Sequence, residues 1–377
     1  MNANTVRAGL EGVTVAETRL SDIDGETGEL VIGGFPVETL ATEATFEETV
    51  FLLLEDRLPA AEELDAFRAD LAGQRELREE AHAVVRRAAA DGEPAMDALR
   101  MGLAAASLDA DTGDYRTAVK RVVAVIPTVV ATYWRYRQGE APVAPDPELG
   151  HAANYLWMLT GEVPDDHEVR GLETYLNTVV DHGLNASTFT ARTVVSTESD
   201  LVSAATAAVG TLKGPRHGGA PGPVLEMLQE VHESGDPEGY VRETLAAGER
   251  LMGFGHRVYR VRDPRADVLS TAAERFYAAS GRTAFYDTVE RFEDVALGML
   301  AEHKPDRRLA TNVEFYTAAL LHGVGIPRAL FTTTFAVARA GGWMAHGLEQ
   351  LSDNRLVRPV ARYVGETDRS WTALDER

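Results

Sequence analysis

Apolar side chains recur along most of this chain at helical spacing, three and four residues apart, and alternate with polar ones only near the start. Residues 9–37 carry that alternation around Asp24-Gly25 and Gly33-Gly34, which predicts a small antiparallel β ribbon. From Thr45 the period changes: Phe46, Val50, Leu53 and Leu54 mark a helix that Leu58-Pro59 should close. Polar-faced helices are predicted over Ala60–Gln74 and Leu77–Ala90, and another over Met96–Leu108 after the Asp91-Gly92 break. Thr117–Arg137 reads as a long helix with a kink expected at Pro127. Leu149–Leu159 and Glu168–Val180 follow, the second delivering Asp181-His182-Gly183 at its end.

The stretch Phe189–Leu212 is crowded with Ala, Ser, Thr and Gly, so successive helices there can approach closely, in the core or at a subunit boundary. Helices are then predicted over Pro223–Glu233, Pro237–Leu251, Ala266–Ala279, Thr288–His303 and Phe331–Gln350, with Asp353–Tyr363 returning to the main body. The pattern is all-α apart from the ribbon. It divides into a large helical domain, residues 1–216 and 321–377, and a small inserted helical domain, 217–320, with a cleft between them for ligands.

Composition narrows the chemistry. The chain has no cysteine, so disulfides, thiolate catalysis and cysteine-bound zinc are excluded. A net charge of -22 disfavours nucleic acid and anionic membrane as partners. Lysine occurs only at Lys120, Lys213 and Lys304. An acidic, lysine-poor surface suits work in concentrated salt, where self-repulsion is screened, and so the protein is expected to be halophilic; codon bias in a GC-rich genome gives the same lysine count. Met1–Arg7 has no apolar signal core, and the most apolar stretch, Ala318–Ala338, is interrupted by His322, Gly323, Gly325, Pro327 and Arg328. A cytoplasmic protein with no membrane span is therefore expected.

The candidate chemistry lies where two histidines stand among glycines, in Gly214-Pro-Arg-His217-Gly-Gly-Ala220 and Gly253-Phe-Gly-His256-Arg257. A lone histidine is more often structural, but glycine on both sides leaves room for a ligand to approach, and here that setting occurs twice. These words, with Asp181-His182-Gly-Leu-Asn-Ala-Ser-Thr-Phe189, Asp263-Pro-Arg265, Asn312-Val-Glu314-Phe-Tyr316, Ala338-Arg339-Ala-Gly-Gly-Trp343-Met-Ala-His346 and Arg358-Pro359, stand in the order in which citrate synthases carry them. The chain resembles that family from near residue 9 to near 366.

The resemblance implies a two-domain helical homodimer condensing acetyl-CoA with oxaloacetate, with coenzyme A thioester as substrate and no tightly bound cofactor. It implies that Glu314 takes a proton from the acyl methyl group, that His217 holds the thioester oxygen and that His256 polarises the ketone. His182, Arg265 and Arg339 would clamp the dicarboxylate, with Arg358 contributed across the interface by the partner subunit. Met252, Gly253, Gly255, Arg307 and Asn312 fall in the coenzyme-binding stretches, with Lys304 and Arg308 as alternatives to Arg307. One departure stands out: the family usually has aspartate where this chain has Glu314. A 2-methylcitrate synthase using propionyl-CoA, or a citryl-CoA-cleaving paralogue, fits that divergence.

Two readings of other classes also fit these residues. His217, His256 and Glu314 also match the ligand set of a non-haem metal site, although no short His-x-Asp or His-Glu-x-x-His spacing accompanies them and no metal is expected. A helical scaffold would use the same glycines for turns and the same histidines for packing. No nucleophile elbow or phosphate-binding loop occurs, and Gly253-Phe-Gly-His-Arg-Val258 lacks the third glycine of a dinucleotide fingerprint.

Overall fold

In the computed structural model, which describes residues 6–107, 113–218, 221–255, 259, 261–305 and 309–377, the ribbon forms where the alternation predicts it. Strands β1 (Ser21–Asp24) and β2 (Glu29–Ile32) pair antiparallel with Ser21 opposite Ile32, and β3 (Phe35–Pro36) adds to β2. Leu30 and Ile32 are buried beneath the sheet. Helix α1 (Val37–Glu43) follows at once; it is too short to show a period in the sequence, yet Val37, Leu40 and Ala41 all face the core.

Thr45 and Glu48 form a capping box that starts α2 (Phe46–Glu55). That helix stops at Asp56, in the left-handed region at φ 59°, and so before the expected Leu58-Pro59. Next come α3 (Ala61–Ala72), α4 (Glu79–Ala90) and α5 (Ala95–Ala105). Helix α6 (Tyr115–Arg137) runs through Pro127, and α7 (His151–Thr160) and α8 (Asp166–Val179) follow it. The small-residue stretch is two helices, α9 (Ala186–Val195) and α10 (Leu201–Leu212), separated at Glu198, φ 65°, and restarted by the Asp200 cap.

Then come α11 (Pro221–Ser234) and α12 (Pro237–Ala246). The latter ends before the expected Leu251 because Gly248 turns the chain at φ 73°. Helix α13 (Pro264–Ser280) begins with proline at its first position under an Asp263 cap. Helices α14 (Thr283–His303), α15 (Val313–Gly323) and α16 (Phe331–Ser352) complete the set. Residues 353–363 form no helix; Val360 and Tyr363 are exposed.

Helix α16 is the central post, touching α2, α5, α6, α8, α9, α10 and α11. Gly342 lets it lie against the end of α8, since a Cβ there would stand 2.3 Å from the Val180 carbonyl oxygen. Within the small-residue stretch, Ala204, Ala205 and Ala208 are buried on α10, which packs on α9, α5 and α16, while Ser203 and Gly210 on the same helix are exposed. Helix α13 lies against α8 and α15, and this junction brings distant sequence words together. Among the described residues, no helix is long and apolar enough to cross a membrane.

Candidate active site

The C-terminus of α8 sets the first wall. Asp181, fully buried, accepts the Ser21 hydroxyl at 2.5 Å, and that hydroxyl accepts the Gly183 N–H at 2.8 Å. Burial by itself would raise the Asp181 carboxyl, but His346, Arg339 and Ser21 together hold it below its ordinary value. The adjoining His182 meets the Tyr259 hydroxyl at 3.0 Å through Nε2.

His217 stands just after α10, its Nε2 2.8 Å from the Ser187 hydroxyl and 3.3 Å from the Ser187 N–H. Ser187 lies in the first turn of α9, and its hydroxyl accepts the Trp343 indole N–H at 3.0 Å. The backbone N–H of Ser187 can only donate, so Nε2 of His217 accepts and the ring's proton sits on Nδ1. Burial, reinforced by the Arg339 charge, lowers the imidazole to about 4. His217 is therefore a neutral hydrogen-bond donor at neutral pH.

Glu314 opens α15, its N–H bonded at 3.0 Å to the capping side chain of Asn312. Burial is the main cause that pushes its carboxyl up to about 7; Asp263 adds to it, while Arg265 and Arg339 oppose. The result is a carboxylate poised to exchange a proton near neutrality.

The two arginines differ in how they are held. Arg265 is buried and gripped by Asp263 through two bonds, Nε to Oδ1 at 3.0 Å and Nη2 to Oδ2 at 2.8 Å. Asp263 also caps α13 and accepts the Val313 N–H at 3.3 Å, tying the start of α13 to the start of α15. Arg339 is buried on α16, with Nε donating 2.8 Å to the Val179 carbonyl and its guanidinium 4.5 Å from the Phe335 ring centroid. It forms no ion pair among the described residues, and burial lowers it to about 10. A buried guanidinium that no carboxylate contacts directly among the described residues is a receptor for an anion.

The electrostatic influence of Arg339 reaches His217, Glu314, Asp181 and Arg265, so sequence positions from 181 to 339 converge on one charge. The loop 252–255 pairs antiparallel with 310–312: the Gly255 N–H donates to Ala310, the Asn312 N–H donates to Gly253 and the Asn312 side chain donates to the Gly255 carbonyl, at 2.7, 2.9 and 2.9 Å. Gly253, φ 87°, lies against Phe315, and Met252 is half-buried beside it. These peptide groups are largely spent on the pairing, so the loop offers a ligand less free backbone than a bare Met-Gly-Phe-Gly suggests. Lys304 closes α14. Arg358 is exposed on the C-terminal tail. His256, Arg307 and Arg308 lie outside the described residues. Among those described, no three His, Asp or Glu side chains come close enough to hold a metal ion.

Ser187, Asp263, Asp181 and Tyr259 carry no role that the sequence alone announces. Three of them sit inside quoted words, and the Asp-x-Arg spacing at the start of α13 was the legible signal for the Asp263–Arg265 fork.

An all-helical enzyme that pairs a near-neutral carboxylate with buried cations is built to handle an organic anion. A model of the citrate synthase C-terminal domain matches residues 9–360. The citrate synthase of Haloferax volcanii is 45% identical, the match covering 99% of each chain. In structure, the chain superposes on the citrate synthase of Pyrobaculum aerophilum with a TM-score of 0.90 at 34% identity, over 99% of this chain and 95% of the other. It superposes on the Thermoplasma acidophilum citrate synthase, solved as a ternary complex with carboxymethyl coenzyme A and oxaloacetate, with a TM-score of 0.88 at 28% identity, over 99% and 100% of the two chains. This chain belongs to the citrate synthase family, and it is a transferase.

Proposed function

We propose that the protein condenses acetyl-CoA with oxaloacetate and water to give citrate and free coenzyme A, with the roles divided as follows. Glu314 in its ionised form takes a proton from the acetyl methyl group. The Nδ1–H of His217 donates to the thioester oxygen, where charge collects as the enolate forms. The methylene carbon then attacks the oxaloacetate ketone, whose oxygen takes up a proton with the help of His256 and becomes the hydroxyl of citryl-CoA. Water cleaves that thioester, releasing citrate and coenzyme A.

Arg339 and Arg265, with His182, hold the carboxylates of oxaloacetate, and Arg358 of a second subunit completes the clamp in a homodimer. Coenzyme A binds along the stretch of Met252, Gly253, Gly255, Arg307 and Asn312, as a substrate and with no resident cofactor. The division into a large domain, 1–216 and 321–377, and a small one, 217–320, gives a cleft that closes on oxaloacetate before the thioester reacts, which keeps water out. The reaction is placed in the cytoplasm.

What carries this reading is the convergence of Glu314, His217 and Arg265 on the buried Arg339, with burial pushing the Glu314 carboxyl up to about 7 against the pull of the two arginines. Its test is Glu314→Gln, assayed by coenzyme A release and by calorimetric titration with oxaloacetate. Loss of turnover by about 10²–10⁴-fold with oxaloacetate affinity retained is expected; a variant that keeps most of its kcat removes Glu314 from the role of base.

A further inference from the structure

The chain leaves α16 at Ser352, and the segment that carries Arg358 is fastened at its root. Gln350 donates from Nε2 to the Asn354 side-chain oxygen at 3.2 Å and to the Arg355 carbonyl at 3.4 Å. Asn354 donates from Nδ2 to the Ser196 carbonyl at 3.3 Å, and the Val357 N–H donates to the Ser196 hydroxyl at 3.0 Å. That hydroxyl, buried at the end of α9, gives its own proton to the Thr193 carbonyl at 2.7 Å, so a lone pair is left for Val357. Consecutive Cα atoms are about 3.8 Å apart, and fastening Val357 therefore leaves Arg358 little freedom besides its own side-chain torsions.

Behind this bracket stands Arg192, buried, donating from Nε to Gln350 at 3.1 Å and from Nη1 to Glu349 at 2.6 Å and to Nδ1 of His346 at 3.1 Å. A guanidinium only donates, so Nδ1 of His346 accepts and its Nε2 donates to Asp181 at 3.3 Å. One buried chain of polar groups thus joins Asp181, next to His182 of the subunit's own site, to the root of the tail.

We infer that Ser196, backed by Gln350 and Arg192, is a positioning residue for Arg358: the fastened tail root sets where the guanidinium of one subunit enters the oxaloacetate site of the other. The inference rests on the reading that Arg358 acts across a dimer. Among the described residues Arg358 makes no ion pair in its own chain, and Val360, Tyr363 and Val364 beyond it are exposed.

Ser196→Ala removes the hydrogen bond to Val357 and should raise the KM for oxaloacetate about fivefold, the effect of one hydrogen bond, with the KM for acetyl-CoA unchanged. Asn354→Ala, at the half-buried edge of the bracket, should act in the same direction and provides the same reading if Ser196→Ala folds poorly. The deciding measurement uses heterodimers carrying two different affinity tags. In a heterodimer of Ser196→Ala with Glu314→Gln the single working site lies in the Ser196→Ala subunit and receives the intact tail of its partner, so its KM for oxaloacetate should return to the wild-type value. A heterodimer of Arg358→Ala with Glu314→Gln should likewise regain activity. If that control gains nothing, or no heterodimer forms, the action of Arg358 across the dimer is refuted. If the control recovers while Ser196→Ala leaves KM unchanged, or raises it equally in the heterodimer, the role of Ser196 is refuted and that of Arg358 stands.

Discussion

His217 holds Nε2 2.8 Å from the Ser187 hydroxyl, and Ser187 in turn is held by the Trp343 indole N–H at 3.0 Å. Two helices and a loop thereby fix one imidazole: α9 carries the serine, α16 the tryptophan, and the loop after α10 the histidine. Removing the hydroxyl leaves the ring only the Ser187 N–H, at 3.3 Å, which keeps the tautomer but holds the imidazole less firmly, without emptying the core. Ser187→Ala should lower kcat about tenfold, with a smaller change in the KM for oxaloacetate, as one anchoring hydrogen bond is lost. Steady-state rates of coenzyme A release measure it; a variant with unchanged kcat would mean that His217 is oriented by something other than Ser187.

Glu314 gives the pH dependence. Its carboxyl is raised to about 7, so kcat/KM should climb about tenfold per pH unit below neutrality and level off above it. Stability runs the other way. Between the ordinary value of 4.5 and about 7 the folded chain keeps a proton that the unfolded chain has released, so the cost of burying the charged form grows across that window. Glu314→Gln escapes that cost and should melt higher than wild type at pH 8 but not at pH 4. Thermal melts of both proteins at the two pH values decide it, and a difference of the opposite sign would show that the Glu314 carboxyl is not raised by burial.

Restoring the aspartate usual in the family tests the added methylene. The backbone at the start of α15 is fixed by the Asn312 cap and by the bond from Val313 to Asp263, so a shorter side chain cannot be compensated by shifting the helix. A misplacement of about 1 Å at a reacting centre costs on the order of 10²-fold, and Glu314→Asp is expected to lose about that much in kcat while binding oxaloacetate normally. A kcat equal to wild type would mean that the site tolerates either carboxylate.

Much of this was legible along the chain because the helices are long and their apolar faces regular. The spacing predicts Phe331–Gln350 and α16 spans Phe331–Ser352, and α4 departs from the predicted Leu77–Ala90 only at the first turn. The misses have local causes. Helix α1 is seven residues long, too short for a period to show, and α2 stops at a left-handed Asp56 that no strong breaker announces. The small residues of α9 and α10 show in the sequence that backbones approach there, but not whose, and only the coordinates put Ala204, Ala205 and Ala208 in the core. The glycine-flanked words marked out His217, yet its partner Ser187 is set by tertiary packing and only coordinates reveal it.

Asp263 joins the clamp to the base. It grips Arg265 with both oxygens and accepts the Val313 N–H, one residue before Glu314. Asp263→Asn leaves a buried guanidinium without its counter-charge, which costs about 3–5 kcal/mol of stability. It should also loosen Arg265 and so raise the KM for oxaloacetate more than that for acetyl-CoA. Denaturant melts and substrate titrations are the two readouts; a variant as stable as wild type with unchanged KM would show that Arg265 is held by its other surroundings.

Salt dependence follows from the surface. The chain carries 59 acidic against 37 lysine and arginine side chains, and its net charge of -22 repels itself most in the folded state, where the charges are closest. Screening shortens the Debye length from about 10 Å at 0.1 M to about 3 Å at 1 M, so that repulsion largely vanishes over this range. The buried pair Asp263–Arg265 is shielded from salt and should change little, which leaves the exposed carboxylates to set the response. The thermal midpoint is expected to rise steadily from 0.1 to 2 M KCl, and to rise equally in NaCl if screening is the cause. A midpoint that stays flat, or falls, would refute the halophilic reading and leave codon usage as the source of the lysine-poor composition.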